Sequence, residues 1–176
     1  MPGVRRMKGE AGGQPQKAAE ERNIFRRFAQ AAGLEVAPRS VRSCRSPYPD
    51  ISCRVGGVRR YFELTRMTHP SFANTVGHRL SQTRRTGVPL PPQADIYDDR
   101  LALRETIARK AAKRYHHASS PLDLLIHIDG LFHPPRMRGE WAQAILLEEG
   151  GGASRWDRLW LYDAVYDKVV ARWVRE

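Results

Sequence analysis

Two acidic residues bracket a glycine pair in a way that suits metal chemistry. Asp50 and Glu63 lie near the outer ends of two β-rich runs, 50–55 and 58–65, which are joined by Gly56-Gly57. Ile51, Cys53 and Val55 alternate along the first run, and a two-residue glycine turn between such runs is a hairpin signal. Counting back from the turn pairs Val55 with Val58, Cys53 with Arg60, Ile51 with Phe62, and therefore Asp50 with Glu63. Directly opposed side chains have Cβ atoms about 5 Å apart, where like charges repel unless a cation bridges them. Hard carboxylate oxygens at that spacing suit Mg²⁺ or Mn²⁺ rather than Zn²⁺, and a water held by such an ion can become a nucleophile. Two solvated carboxylates neutralised by neighbouring arginines are the plainer reading of the same pair.

A third carboxylate comes from the segment before the hairpin. The spacing of Ile24, Phe25, Phe28 and Ala32 predicts a helix from Ala18 to Ala32, stopped by Gly33. Glu21 falls near the centre of that apolar arc and Glu20 at its margin. A glutamate in an apolar stripe is either a first-turn residue favoured by the helix dipole or a side chain directed at the same metal.

The elements that must position these groups follow from the rest of the chain. Its 176 residues suit one domain, with residues 1–17, rich in Gly, Pro and Gln, expected as a flexible basic tail and 18–176 as the folded unit. A short strand is expected within 34–41. Residues 66–98, interrupted by Pro70, Pro89, Pro91 and Pro92, read as a long loop of the kind that is often functional. A second helix is expected over 99–118, a buried strand over 122–129, a helix over 140–147, a Gly-rich loop over 148–154, and closing strands over 159–162 and 168–174. This order is that of an α/β or α+β sandwich around a mixed sheet.

Composition narrows the partners. Residues 1–90 hold 17 Lys+Arg against 6 Asp+Glu, whereas residues 91–176 hold 13 of each, so the whole +11 excess lies in the first half. Arginine pairs at 5-6, 26-27, 59-60 and 84-85 make that half resemble a phosphate-facing surface more than an evenly solvated one. The longest apolar run, 122–132, contains Asp123, His127 and Asp129 and falls short of the roughly 20 residues needed to span a bilayer. No membrane association is expected. The N-terminus has no hydrophobic region after its arginines, so a cytoplasmic protein is expected. Cys44 and Cys53 form no CxxC and read as ordinary thiols.

With Glu21 on a leading helix, Pro49-Asp50 opening one hairpin strand and Glu63-Leu64-Thr65 closing the other, the chain resembles the PD-(D/E)XK nuclease superfamily of restriction-endonuclease-like folds. The resemblance covers roughly residues 18–130 in element order, on a short and degenerate motif. It implies three meandering strands, a crossover helix and a fourth strand, with a metal held by Asp50, Glu63, the Leu64 carbonyl and in some members the helix glutamate, here Glu21. The implied chemistry is metal-assisted phosphodiester hydrolysis, DNA being the expected substrate, and homodimers are common in the family.

The chain departs from that pattern at one position. The family places lysine two residues after the glutamate, and this chain has Thr65. A threonine can hydrogen-bond a water but supplies no positive charge to the transition state. Lysines migrate within the superfamily, and Lys110, flanking the apolar stripe of the second helix, is the best-placed substitute, with Lys113 directed more toward solvent. Otherwise the domain binds nucleic acid without cutting it, or serves as a scaffold for an acidic protein. Arg59, Arg60, Arg66 and Lys113 are the expected phosphate contacts. His69 and His78, in the loop, and His116, His117 and His127 read more readily as surface or satisfied core histidines than as catalysts. Trp156, Trp160, Tyr162 and Trp173 read as core or sheet-face residues rather than a base-stacking platform.

Overall fold

The computed structural model describes residues 13–67, 99–116, 120–128, 135–151 and 155–176. Its elements are α1 (Gly13–Ala31), β1 (Arg42–Ser43), β2 (Ile51–Val55), β3 (Val58–Arg66), α2 (Asp99–Ala111), β4 (Leu122–Ile128), α3 (Pro135–Gly151), β5 (Arg158–Asp163) and β6 (Lys168–Val174). The fold is α+β. One six-stranded mixed sheet runs in the order β1-β2-β3-β4-β5-β6, parallel at β3/β4 and β4/β5 and antiparallel elsewhere. The two parallel connections carry α2 and α3, as parallel pairing demands a crossover.

The hairpin forms in the expected register. Val55 pairs with Val58, Cys53 with Arg60 and Ile51 with Phe62. Gly56 and Gly57 both take positive φ, 54° and 80°, the conformation that a type I′ turn requires of both central residues.

Alternation along the strands splits the core into two layers. On one face Ile51, Cys53, Phe62, Leu64, Leu125, Trp160 and Tyr162 meet Phe25, Phe28 and Ala29 of α1. Phe25 lies 4.8 Å from Phe62 and Phe28 lies 5.2 Å from Trp160, centroid to centroid, in tilted and edge-on arrangements. On the other face Tyr61, Leu122, Leu124, Ile126, Leu159 and Leu161 are covered by Leu103 and Ile107 of α2 and by Ala142, Ile145 and Leu146 of α3. Trp156, Trp160 and Tyr162 are buried as expected. Cys44 and Cys53 are free thiols.

Several boundaries differ from expectation for identifiable reasons. α1 begins at Gly13, within the stretch expected as tail, because its first turn is exposed and carries no apolar period to announce it. It ends as expected. Gly33, at φ 64°, donates to Gln30 O and Leu34 donates to Ala29 O, the paired bonds of a Schellman stop.

The strand expected within 34–41 is reduced to a single bridge, Val36 to Val55. Ser40 turns the chain there by bonding Ala37 O through both its N–H and its hydroxyl, beside Arg39 at φ 61°. α2 stops at Ala111 rather than at residue 118. Beyond it Tyr115 turns in against Trp156, and His116 N–H bonds Pro47 O.

α3 is longer than expected at both ends and takes in Glu148 to Gly151. Position 150 is a glycine inside this helix because the Trp173 indole presses against it and leaves no room for a Cβ. At the free edge of β6, the Gln143 amide bonds both N–H and C=O of Arg172, occupying backbone groups that an edge strand would otherwise expose. Of the loop expected over 66–98, Arg66 instead ends β3, and residues 68–98 with His69 and His78 lie outside the described residues, as do the first twelve residues of the expected tail and His117.

Candidate functional site: a carboxylate and lysine cluster beside the hairpin

β3 places Glu63 and Thr65 on one face and Leu64 on the other, since alternate residues of a strand point oppositely. Glu63 and Thr65 share the α2 face with Tyr61 and are buried. From the last turn of α2, Lys110 Nζ reaches Glu63 Oε1 at 2.5 Å and the Leu64 carbonyl oxygen at 3.3 Å. Both side chains of this ion pair are almost wholly enclosed, with 8% and 5% exposure. The neighbouring Arg109 brings Nη2 to 3.5 Å from Thr65 Oγ1. Two cations from one helix turn therefore stand over the sheet face that carries Glu63 and Thr65.

Asp50 is half-buried and immediately precedes β2. Its Oδ2 accepts a hydrogen bond from Leu64 N–H at 2.8 Å, which holds the carboxylate against β3. The β2/β3 ladder ends at Ile51 and Phe62, the neighbours of Asp50 and Glu63, and the Leu64 N–H bond keeps the Asp50 carboxylate beside the residue that follows Glu63. Glu21 approaches from α1 with 17% of its side chain exposed and pairs with Lys17 at 3.3 Å.

The electrostatics tie these groups together. Burial, and then the Asp50 carboxylate, raise the Glu63 pKa above the usual glutamate range, against the pull of Lys110 and Tyr115. Burial and Asp50 likewise raise Glu21, with Lys17 opposing. Burial, followed by the charge of Glu63, pushes the Tyr115 phenol up. Its hydroxyl is enclosed close enough to influence Glu63 but without a hydrogen bond of standard length and angle. Among the described residues no three His, Cys, Asp or Glu side chains gather into a group able to hold a metal ion. The oxygens brought together are those of Asp50, Glu63 and the Leu64 carbonyl.

The expected phosphate contacts separate. Arg59 is exposed. Arg60 points to the α1 face and spends its Nη1 on the buried Asp123 carboxylate at 2.7 Å, so it is tied into the fold rather than presented to a ligand. Arg66 is exposed at the end of β3, paired in register with His127. Lys113 is exposed just beyond α2, and its carbonyl accepts a bond from Arg155. Sequence reasoning missed Arg109, Tyr115 and Lys17. The position of Arg109 beside Lys110 was a usable signal, whereas Tyr115 enters the site only because the chain turns inward after α2.

No helix among the described residues is long and apolar enough to cross a membrane. No family model, curated protein or solved structure matches the chain.

Proposed function

We propose that this chain is a metal-dependent nuclease with a restriction-endonuclease-like arrangement, in which Lys110 stands in for the lysine that the PD-(D/E)XK pattern would place at residue 65. The observation that carries this reading is the Lys110 ammonium 2.5 Å from Glu63 Oε1, on the sheet face that Thr65 shares. The donor chemistry fits a hard divalent ion: the Asp50 carboxylate sits on the Leu64 N–H, Glu63 Oε1 and the Leu64 carbonyl both face Lys110, and the repulsion between the two acids is only partly offset by that lysine. Asp50, Glu63 and the Leu64 carbonyl would hold Mg²⁺ or Mn²⁺, with Glu21 at the margin. Bound there, the ion would supply an acidified water and neutralise charge on the phosphoryl oxygens.

The chain's own groups would do the rest. Leu64 N–H fixes the Asp50 carboxylate. Lys110 provides the charge that a threonine lacks, adjacent to the reacting phosphate, and removing one such preorganised group from an active site typically lowers turnover by about 10²–10³-fold. Thr65 orients a water through its hydroxyl, and Arg59 and Arg66 hold the phosphate backbone.

One observation favours a second reading, a nuclease-fold domain that binds nucleic acid without cutting. Lys110 bonds both Glu63 Oε1 and Leu64 O, two of the oxygens a metal would take. The deciding experiment incubates plasmid, linear and single-stranded DNA and RNA with Mg²⁺, Mn²⁺ or EDTA, using wild type, Asp50→Asn and Glu63→Gln. Metal-dependent cleavage lost in both variants, with binding retained, establishes the nuclease. Salt-sensitive binding without cleavage in any metal establishes the second reading.

A further inference from the structure

Three arginines of the basic half are tied into the fold by their side chains. Arg22 bonds Ser43 Oγ, Arg27 bonds Asp167 and Ala164 O, and Arg60 bonds Asp123. Among the other arginines, three are neighbours on the sheet. Arg42, Arg54 and Arg59 are exposed, and among the described residues none of them forms an ion pair with an acid.

The register brings these three together. Arg54 stands directly opposite Arg59 across the β2/β3 ladder, an arrangement in which like charges disfavour each other at Cβ separations of about 5 Å. Arg42 of β1 stands opposite Ser52, two residues from Arg54, which puts it on the diagonal at about 7–8 Å. All three share one face of the sheet. Ile51 and Cys53 belong to the α1 layer, so Ser52 and Arg54 point the other way. Tyr61 and Cys44 pack into the α2/α3 layer, and Arg59 and Arg42 have the same parity as these residues. That is also the face of Glu63 and Thr65.

We propose that Arg42, Arg54 and Arg59 form a phosphodiester-backbone anchor, separate from the groups around Glu63 and lying on the same sheet face. The inference rests on the nuclease reading above and extends it by naming where the nucleic-acid backbone is gripped. Mutual repulsion among the three guanidiniums is relieved by anionic oxygens lodged between them, and arginine accepts phosphate through a planar fork. Arg59 and Glu63 are four residues apart on one strand, about 13 Å at the rise of a β-strand. A duplex advances about 3.4 Å per base pair, so the anchor holds phosphates roughly four steps from the one presented to Glu63.

The test is equilibrium binding in EDTA, by fluorescence anisotropy over a series of salt concentrations, with labelled DNA duplex and RNA duplex in separate arms. Each lost phosphate contact lowers the salt slope by about 0.9 on a DNA duplex. Arg54→Ala/Arg59→Ala is expected to lower it by about 1.8, and adding Arg42→Ala by about 0.9 more. Arg26→Ala, an exposed arginine of α1, should leave the slope unchanged. A loss on either duplex supports the anchor and identifies which nucleic acid it holds, and thermal melts confirm that the variants fold.

An unchanged slope in the triple variant on both duplexes, or an equal loss from Arg26→Ala, overturns the anchor. So does a wild-type protein that binds neither duplex. Because binding is read without divalent metal, these outcomes are independent of whether cleavage occurs, and a protein that cuts normally with an intact slope in the triple variant would refute the anchor alone.

Discussion

Lys110 Nζ lies 2.5 Å from Glu63 Oε1, joining the end of α2 to the middle of β3 across 47 positions of sequence. A buried pair of this kind is costly to break from one side, because the partner is left charged and enclosed. Lys110→Ala is expected to destabilise the fold by about 3–5 kcal/mol and to reduce cleavage by at least about 100-fold. Chemical denaturation separates the two effects, since the remaining folded fraction can be assayed directly. Adding Thr65→Lys to Lys110→Ala should recover part of the activity, and a double variant no more active than the single would rule out the charge-replacement role.

Tyr115 tests how tightly the site is organised. Its hydroxyl is buried beside Glu63 without a hydrogen bond of standard geometry, so Tyr115→Phe should change unfolding free energy by less than about 0.5 kcal/mol, because little is lost when no good bond is removed. A loss above about 1.5 kcal/mol would show instead that the phenol donates a full bond to the glutamate.

Asp123 carries a pH dependence of stability. Burial pushes its carboxyl up to about 7 despite Arg60 and Arg158. A carboxyl whose pKa is higher in the folded state than in the unfolded chain holds its proton more tightly when folded. Its contribution is therefore fully present below the unfolded value of about 4 and is lost as pH rises toward 7. Between those limits stability should fall by up to about 1.4 kcal/mol per pH unit from this group alone. Urea melts from pH 4.5 to 7.5 on wild type and Asp123→Asn check this, and equal pH slopes in the two proteins would refute it.

The end of α3 gives a packing test. A Cβ at Gly150 would collide with the Trp173 ring, whereas one at Gly151 meets nothing within 4 Å. Gly150→Ala should cost about 1–3 kcal/mol by overpacking, and Gly151→Ala should fall within about 0.5 kcal/mol of wild type. Melting the two variants side by side decides it, and similar stabilities would mean that the indole moves aside freely.

Local rules were enough for the hairpin and the C-terminal end of α1. Gly56-Gly57 admits positive φ at both turn positions, and that sets which residues of β2 and β3 face each other, from Val55 and Val58 to Ile51 and Phe62. Gly33 ends α1 by the same conformational freedom. The alternation of β2 and the apolar run of β4 likewise announced strands, because burial of one or both faces leaves a short-range imprint on residue type. The start of α1 left no such imprint, being exposed, and Gly150 read as loop because only the Trp173 indole explains a glycine inside that helix.

The rest was decided by packing over long range. Whether Arg59 or Arg60 meets solvent depends on which sheet face each occupies and on Asp123 lying beneath one of them, and β4 does not adjoin the hairpin in sequence. Lys110 could be singled out from its place at the edge of a helical stripe, but its partner could not. The 2.5 Å contact with Glu63 exists because a parallel crossover lays the last turn of α2 over β3, and the geometry of a crossover is a property of the assembled sheet rather than of any segment within it.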